Sequence, residues 1–301
     1  MKDRATDSLY ATGWWVSSRV PPALARPVFQ FAADRTWARD GRGVRQLTAN
    51  LRRVVGPQVS SAELSQLVRQ GMRSYLRYWH EMFALSALPK DQLASLVRFT
   101  DRTALDEAIA RGAGTLVVLS HSANWDTAGA WLAVTQQPFT TVAERVRPDA
   151  LYDRFVAHRR SFGIEVLAAD GGHQVLARLA QRLRDGKTVC LLADRVIGTA
   201  QGVPVSFFGE AAHMPGGPAS LALRTGCSLV AIHLHYDGSV IVARSEAIDT
   251  AADLPEDREG RIHVITQRMA TAFEGAIAEH PTDWHMLQPL WDADLSTTAV
   301  P

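Results

Sequence analysis

Two cysteines, almost no net charge and no long hydrophobic run restrict what this 301-residue sequence can encode. Cys190 and Cys227 both fall in segments that read as buried, so a disulfide framework or a thiolate metal site is not expected, and a reducing cytosol is favoured. The formal net charge of +1 gives no global case for a nucleic-acid partner. No stretch of about 18 residues is continuously apolar and no signal-peptide pattern opens the chain, so we expect neither secretion nor a spanning helix.

Several well-known catalytic motifs are also missing from the sequence. It contains no G-x-x-x-x-G-K-[ST], no G-x-S-x-G, no H-E-x-x-H and no C-x-x-C. Phosphate-binding-loop hydrolysis, a serine hydrolase and the common zinc sites therefore lose support. His233 and His235 alternate on a predicted strand, where we interpret them as ordinary sheet residues, and no metal site is predicted.

The pattern of apolar residues predicts an α/β fold. From residue 115 onward, short apolar stretches alternate with helical patterns, and the connections are long enough for parallel pairing. We predict a central, mostly parallel or mixed sheet flanked by helices. The predicted strands are 115–120, Thr140–Arg145, Ile164–Ala168, Thr188–Ala193, Leu229–His235 and Val240–Arg244, and 115–120 is predicted to be the first strong strand. The predicted helices are 62–88, Asp101–Arg111, 148–161, 172–185, 215–225 and 258–279.

The first fifty-odd residues differ in composition from the rest of the chain. Aromatic residues alternate with arginines there, and Trp14, Trp15, Arg19 and Arg26 illustrate the pattern. Tryptophan beside arginine is typical of a membrane interface, where rings lie at headgroup depth and guanidinium groups meet anionic lipid. A helical hairpin that covers the core explains the same residues, and the two interpretations are compatible. We predict a helical membrane-interface cap over residues 1–60 and an α/β domain over residues 61–301.

The segment LVVLSHSANWD, residues 116–126, carries the first candidate for catalysis. A predicted buried strand leads into His121, and a helix is predicted to begin near Asp126. Residues five apart on one helix lie about 140° apart, so His121 must lie in the turn with Asp126 behind it on the helix. In this arrangement Asp126 is predicted to accept the Nδ1 proton and leave Nε2 as a general base. The alternative is a histidine that caps the helix or fills a polar pocket.

Polar residues at two further strand ends support a site at this edge. Glu144 and Arg145 end one predicted strand, and Asp194 and Arg195 end another. Because the carboxyl ends of strands line the ligand crevice of an open α/β sheet, these residues are expected near His121. Asp194 is a candidate second carboxylate for His121. An ion-pair network that only satisfies buried strand ends is the competing interpretation.

Binding residues are predicted around the same edge. Arg195 or Arg160 is a candidate to hold an anionic head group or a phosphate. The helix start near Asn124 offers positive potential for a carbonyl oxygen that develops charge. VSFFGEAAHM, residues 205–214, leads through Pro215–Gly217 into a helix, which suits either close approach to a ligand or a plain loop. The final PTDWHMLQPLW segment is expected to pack back onto the body.

Together these segments resemble a known family. HSANWD, AERVRP at 143–148, LLADR at 191–195, FFGEAAHMPGGPASLALRTG at 207–226 and the terminal PTDWHMLQPLW are similar to the bacterial acyltransferases that include the lipid A lauroyl and myristoyl enzymes. The resemblance extends from about residue 8 to residue 291, and it is greatest for the actinobacterial acyltransferases of phosphatidylinositol mannosides.

The resemblance implies a reaction and roles for several residues. It implies His121 as general base, Asp126 as its partner and Asp194 as a second carboxylate. The implied donor is a long-chain acyl-coenzyme A, used as a substrate with no separate cofactor. The implied acceptor is a mannose hydroxyl of a phosphatidylinositol mannoside on the anionic inner leaflet, which places the protein peripherally on the cytoplasmic face of the plasma membrane.

Three other functions stay open at this stage. Water in place of the sugar hydroxyl would make the protein an acyl-coenzyme A thioesterase. Another acceptor, such as a lysophospholipid, would keep the chemistry and change the product. A non-catalytic lipid-binding protein would use the same groove and cap.

Overall fold

A mixed β-sheet between two layers of helices forms the centre of the protein. The computed structural model describes residues 22–145, 149–197 and 202–297. The strands are β1 (Val97–Asp101), β2 (Thr115–Leu119), β3 (Phe139–Ala143), β4 (Glu165–Ala168), β5 (Thr188–Leu192), β6 (Val203–Phe207), β7 (Glu210–Met214), β8 (Ser228–Asp237) and β9 (Val240–Ala247). The helices are α1 (Pro22–Ala38), α2 (Arg42–Val55), α3 (Ser61–Ala84), α4 (Lys90–Ser95), α5 (Thr103–Arg111), α6 (Trp125–Thr135), α7 (Asp149–Ser161), α8 (Gly172–Arg184), α9 (Gly217–Thr225), α10 (Arg258–Glu279) and α11 (Asp292–Thr297).

The central sheet of the described residues has seven strands in the order β1-β9-β8-β2-β5-β3-β4. Strands β8, β2, β5, β3 and β4 run parallel to one another. Strand β9 runs antiparallel to β8 because only Gly238 and Ser239 connect them, and β1 is parallel to β9 at the edge. The α/β prediction with a mostly parallel or mixed sheet is confirmed.

Three strands were not predicted from the sequence. The segment 97–101 forms β1 ahead of the strand predicted over 115–120, and Val205–Met214, which had no strand prediction, lies largely in the antiparallel hairpin β6–β7. In β1, Val97 is buried while its neighbours are half-buried or exposed, so its apolar pattern is weak. Its pairing with residues 241–244 is a long-range contact that local periodicity does not reveal.

Apolar side chains cover both faces of the sheet. Helices α8, α9 and α10, with the β6–β7 hairpin and the C-terminal segment, cover one face. Helices α5, α6 and α7 cover the other. Gly114 allows β2 to enter the sheet next to α8, because its φ is 85° and an added Cβ would lie 2.2 Å from the carbonyl oxygen of Leu183.

Helices α1, α2 and α3 form an additional helical layer. Ala33 of α1 and Leu47 and Leu51 of α2 are buried with apolar residues of α3, while Leu24, Val28 and Phe31 of α1 are strongly exposed. No helix among the described residues is both long enough and apolar enough to cross a bilayer. Trp14, Trp15 and Arg19 lie outside the described residues, so the proposed cap boundary at residue 60 stays a prediction.

Candidate active site

Three adjacent parallel strands bring the predicted polar residues together at one edge of the sheet. Strand β5 lies between β2 and β3, and the chain segments that follow the three strands contain His121, Asp194 and Glu144. A groove of about 640 Å³ runs along this edge, and His121, Glu144 and Arg195 line it. The expected meeting of three strand ends is confirmed.

His121 is held by a buried carboxylate. Its Nδ1 lies 2.6 Å from Oδ1 of Asp194, and its backbone N–H donates to Oδ2 of Asp194 at 2.8 Å. The indole N–H of Trp284 donates to the same Oδ2 at 2.9 Å, and both Asp194 and Trp284 are fully buried. With Nδ1 directed at the carboxylate, Nε2 lies on the opposite side of the imidazole ring.

Burial and hydrogen bonding have opposite effects on Asp194. Burial alone would raise its pKa, but the charge and hydrogen bonds of His121, together with the Trp284 N–H, outweigh burial and hold the pKa below its ordinary value. Asp194 is therefore an ionised partner that fixes the Nδ1–H tautomer of His121.

The structure corrects the role predicted for Asp126. The partner of the His121 Nδ1 is Asp194, whereas Asp126 accepts from the Arg159 guanidinium at 2.7 and 3.2 Å and from the Tyr78 hydroxyl at 2.8 Å. The physical reason is that Asp126 is the second residue of α6 and is buried against α3 and α7, while Asp194 follows the strand next to β2.

The Asp126 carboxylate and the Arg159 guanidinium form a buried ion pair. Burial would raise the pKa of Asp126, but the charge and hydrogen bonds of Arg159 outweigh it and lower the pKa. Burial would also lower the pKa of Arg159, and Asp126 raises it instead. Both residues are charged at neutral pH, and the pair ties α6 to α7 directly behind the turn that carries His121.

The C-terminal segment forms the other wall of the turn. Ser122 and Trp284 form an antiparallel β-bridge, and the His285 N–H donates to the His121 carbonyl at 2.8 Å. Ala123 N–H donates to the Asp283 carbonyl at 2.8 Å, and Ala123 has a φ of 49°, which is unfavourable for alanine. The expectation that the final segment packs back onto the body is confirmed.

His285 is a buried neutral histidine next to the site. Burial, and then the nearby His121, lower its pKa to about 3. Its Nε2 lies 2.9 Å from the Ser74 hydroxyl, which donates to Asp283 at 2.7 Å. His285 therefore stays uncharged and adds no positive charge next to His121.

Asn124 begins the helix behind the turn. Its side-chain oxygen accepts from Thr127 N–H at 3.0 Å as the N-cap of α6, and its amide donates to Glu81 at 3.3 Å. Trp125, the first residue of α6, lines the groove and contacts the His121 ring edge-on at 5.2 Å. The start of α6 thus lies at the groove beside His121.

The other predicted binding residues occupy three environments. Arg195 donates to Glu144 at 3.0 Å, and both line the groove. Arg145 is paired with Asp170 at 2.9 Å and is largely exposed. Arg160 is exposed on α7, and it is the preceding Arg159 that reaches the groove.

One wall of the groove is apolar. Val175, Leu176 and Leu179 of α8 line it, and so does the Pro215–Gly217 turn before α9. A smaller cavity of about 90 Å³ lies beneath α6 on the other side of Trp125 and Arg159, among apolar side chains. Within the described ranges, no cluster of three or more His, Cys, Asp or Glu side chains could hold a metal ion.

Four residues of the site were absent from the sequence-based assignment. Trp284 and His285 lie in the PTDWHMLQPLW segment, about 160 residues after His121. Because of this separation, the sequence does not reveal that Trp284 bonds to Asp194 and that His285 bonds to the His121 carbonyl. Tyr78 lies within the helix predicted over 62–88 but was not assigned to the site, and Arg159 adjoins the predicted Arg160. The tryptophan and histidine in that segment were a usable signal, because a buried indole N–H or imidazole needs a partner.

Comparisons with known proteins identify the family to which the chain belongs. Residues 1–293 match the family described as bacterial lipid A biosynthesis acyltransferase. A phosphatidylinositol mannoside acyltransferase of Mycolicibacterium smegmatis is 43% identical over 295 residues, which cover 97% of this chain and 93% of that protein. The protein of the same name from Mycobacterium tuberculosis is 42% identical over 298 residues, covering 97% and 90% of the two chains. The chain belongs to the bacterial lipid A biosynthesis acyltransferase family.

Proposed function

We propose that this acyltransferase moves a long-chain acyl group from acyl-coenzyme A to a mannose hydroxyl of a phosphatidylinositol mannoside. The observation that carries the proposal is the His121–Asp194 pair at the edge of a groove with an apolar wall. The names of the relatives from Mycolicibacterium smegmatis and Mycobacterium tuberculosis support the choice of acceptor. The acyl-coenzyme A donor follows from the resemblance and is part of the proposal.

In the proposed reaction His121 acts as a general base. Its Nε2 takes the proton of the sugar hydroxyl as the oxygen attacks the thioester carbonyl, and Asp194 stabilises the imidazolium. The start of α6 near Asn124 polarises the carbonyl oxygen as it gains charge. Collapse of the tetrahedral intermediate breaks the C–S bond, and the imidazolium returns its proton to the departing thiolate.

The acyl chain is proposed to lie along the apolar groove wall formed by α8. The groove is the larger space, at about 640 Å³ compared with about 90 Å³ for the inner cavity under α6. Arg195, which also lines the groove and is paired with Glu144, is proposed to meet an anionic group of a substrate. In the proposed binding mode the thioester lies next to His121, with its tail and its head group in different parts of the groove.

A charge on the groove wall is expected to change the selectivity for chain length. Leu176→Asp should lower kcat/KM for a long-chain donor at least about tenfold relative to a short-chain donor, since each buried methylene contributes about 0.8 kcal/mol. Steady-state kinetics with palmitoyl- and butyryl-coenzyme A measure the ratio. Ala177→Asp is the matched control, because residue 177 is exposed on the same helix. An unchanged kcat/KM ratio in Leu176→Asp would show that the acyl chain does not lie along this wall.

Loss of the Trp284 indole N–H is expected to reduce kcat about tenfold. The Trp284→Phe variant keeps an aromatic ring but removes one of the donors that hold Asp194 in place, and hydrogen bonds to charged groups contribute about 1.5–3 kcal/mol. The control is Trp291→Phe, because Trp291 is equally buried and its N–H donates to the Phe207 carbonyl at 2.8 Å, away from His121. Kinetics and melting temperatures of both variants provide the measurement. Equal kcat losses would show that Trp284 acts only through stability.

We also propose that the protein works at the cytoplasmic face of the plasma membrane as a peripheral enzyme. The exposed Leu24, Val28 and Phe31 of α1 support this placement, because they project an apolar stripe from a helix that also carries exposed arginines. Such a position would give the groove access to a lipid acceptor without a spanning helix.

Mass spectrometry of the products tests the proposed function. Purified protein is incubated with palmitoyl-coenzyme A and a phosphatidylinositol mannoside, with a lysophospholipid as a competing acceptor. Acylated mannoside as the main product supports the proposal. Free fatty acid would indicate a thioesterase, acylated lysophospholipid would indicate a different acceptor, and tight lipid binding with no product would indicate a lipid carrier.

A further inference from the structure

A second polar pocket lies between α1 and α3, away from His121. We call it the α1–α3 pocket; it has a volume of about 390 Å³. Three arginines line it, together with a buried histidine, a serine and one carboxylate. These residues are Arg26 of α1, Arg73, Ser74, Arg77 and His80 of α3, and Asp283.

The carboxylates around this pocket are already committed to protein donors. Asp283 accepts from the Ser74 hydroxyl through Oδ1 and from the Tyr236 backbone N–H through Oδ2. Glu81 accepts from the Arg77 Nε through Oε1 and from the Tyr236 hydroxyl at 3.1 Å through Oε2.

Asp34, which lies beside Arg73, also accepts hydrogen bonds from protein donors through both of its oxygens. Its two oxygens accept from Arg73 at 2.7 and 2.6 Å and from Arg69 at 3.0 and 2.6 Å. A single carboxylate thus serves two guanidinium groups. The carboxylates near the pocket already accept hydrogen bonds from the protein, and they do not neutralise the charge of every arginine.

Donors without acceptors therefore remain in the pocket. Arg77 Nη2 and His80 Nε2 are buried and have no hydrogen-bond partner among the described residues. Arg26 has no ion-pair partner there either, and its charge and that of Arg77 contribute to lowering the pKa of His80, after the larger effect of burial. Because a buried donor without an acceptor is costly, this surplus indicates an anionic ligand.

We propose that the α1–α3 pocket binds a phosphate group, with Arg26, Arg77 and His80 as its donors. Arginine pairs with phosphate through parallel N–H donors, and a phosphate oxygen can accept from several donors at once. A volume of about 390 Å³ exceeds a bare phosphate and accommodates a phosphodiester with a small polar head group.

The phosphate has two possible sources, an anionic phospholipid or a soluble phosphate compound. Arg26 and Phe29 of α1 face the pocket region, while Leu24, Val28 and Phe31 of the same helix are exposed. At 100° per residue, the exposed stripe lies on the opposite side of α1 from Arg26 and Phe29, so the stripe does not decide between the two sources. This binding event is separate from acyl transfer, because Ser74 and His285 lie between the pocket and the groove.

Two binding measurements on the full chain test the proposal without an activity assay. The first is calorimetric titration with inorganic phosphate. The second is co-sedimentation with phosphatidylcholine vesicles prepared with and without phosphatidylinositol. The test variants are Arg26→Gln, which removes a charge, and Arg77→Lys, which keeps the charge and removes the Nη2 donor. Arg35→Gln is the matched control, an exposed arginine of the same helix that does not line the pocket.

We expect Arg26→Gln and Arg77→Lys to weaken phosphate-dependent binding about five- to tenfold, while Arg35→Gln behaves as the wild type. If the phosphatidylinositol-dependent part of sedimentation is lost in the same two variants, the ligand is a lipid head group. If the two variants weaken only the binding of inorganic phosphate, the ligand is a soluble phosphate compound. The proposal is overturned if neither ligand distinguishes Arg26→Gln and Arg77→Lys from Arg35→Gln while melting temperatures stay unchanged.

Discussion

Replacing His121 with alanine is expected to lower the rate of acyl transfer about 10²- to 10⁴-fold, the usual contribution of a positioned general base. The loss is expected in kcat. The other groups that bond to Asp194 are the backbone N–H of residue 121 and the Trp284 indole N–H, and neither can accept the hydroxyl proton. The fold should survive, since Asp194 keeps its hydrogen bonds to the backbone N–H of residue 121 and to Trp284. Product formation by mass spectrometry and the melting temperature check both parts.

His213→Ala is the matched control for this variant. The His213 Nδ1 lies 2.7 Å from Asp292, so it forms another histidine–aspartate pair, but it is partly exposed and does not line the groove. Its loss should leave the transfer rate near the wild-type value. A folded His121→Ala protein with near-normal transfer would exclude His121 as the base.

The fold was predictable wherever local pattern and burial agree. Strands β2 and β5 are continuous apolar stretches because they lie in the middle of the sheet, and their predicted limits differ from the structure by one residue at one end. Strand β1 is an edge strand with one buried side chain, and only its pairing with β9 makes it a strand. Patterns along the chain cannot supply that information.

The site was predictable in position but not in its pairing. The strand-end argument correctly placed His121, Glu144 and Asp194 at one edge of the sheet. Sequence proximity then favoured Asp126 as the His121 partner, although the neighbouring strand delivers Asp194 to the imidazole. Spacing along the chain fixes which groups can share a turn, but strand order decides which carboxylate meets the histidine, and that order depends on pairing between distant segments.

This correction gives the H-x-x-x-x-D spacing a different physical meaning. Asp126 lies at the start of α6, where a carboxylate is stabilised by the helix N-terminus, and it pairs with Arg159 of α7. The pair fixes the helix that follows the His121 turn. Asp126 is therefore a positioning residue, whose loss is expected to act first on stability.

Replacing Asp126 with asparagine is expected to destabilise the protein by about 3–5 kcal/mol. The substitution leaves the Arg159 guanidinium without its anion at a buried site, which is the costly way to break such a pair. Denaturant unfolding followed by circular dichroism measures the loss. Asp106→Asn is the control, since Asp106 pairs with Arg102 on the surface and exposed pairs contribute about 0–1 kcal/mol.

A double variant separates the buried charge from the loss of packing. Asp126→Asn combined with Arg159→Met removes both charges and should recover part of the stability, because an apolar side chain tolerates the site better than an unpaired cation. A double variant no more stable than Asp126→Asn alone would contradict this account.

The pH dependence of stability gives an independent check on the same pair. The pKa of Asp126 is lower in the folded protein than in the unfolded chain, so the folded state binds fewer protons. Its contribution is fully present above about pH 4, where the unfolded carboxyl is ionised, and it is lost as the pH falls through the lower folded pKa. Asp126→Asn should therefore show a flatter decline of stability below about pH 4 than the wild type. An identical decline in both proteins would mean that the Asp126–Arg159 pair does not contribute to acid sensitivity.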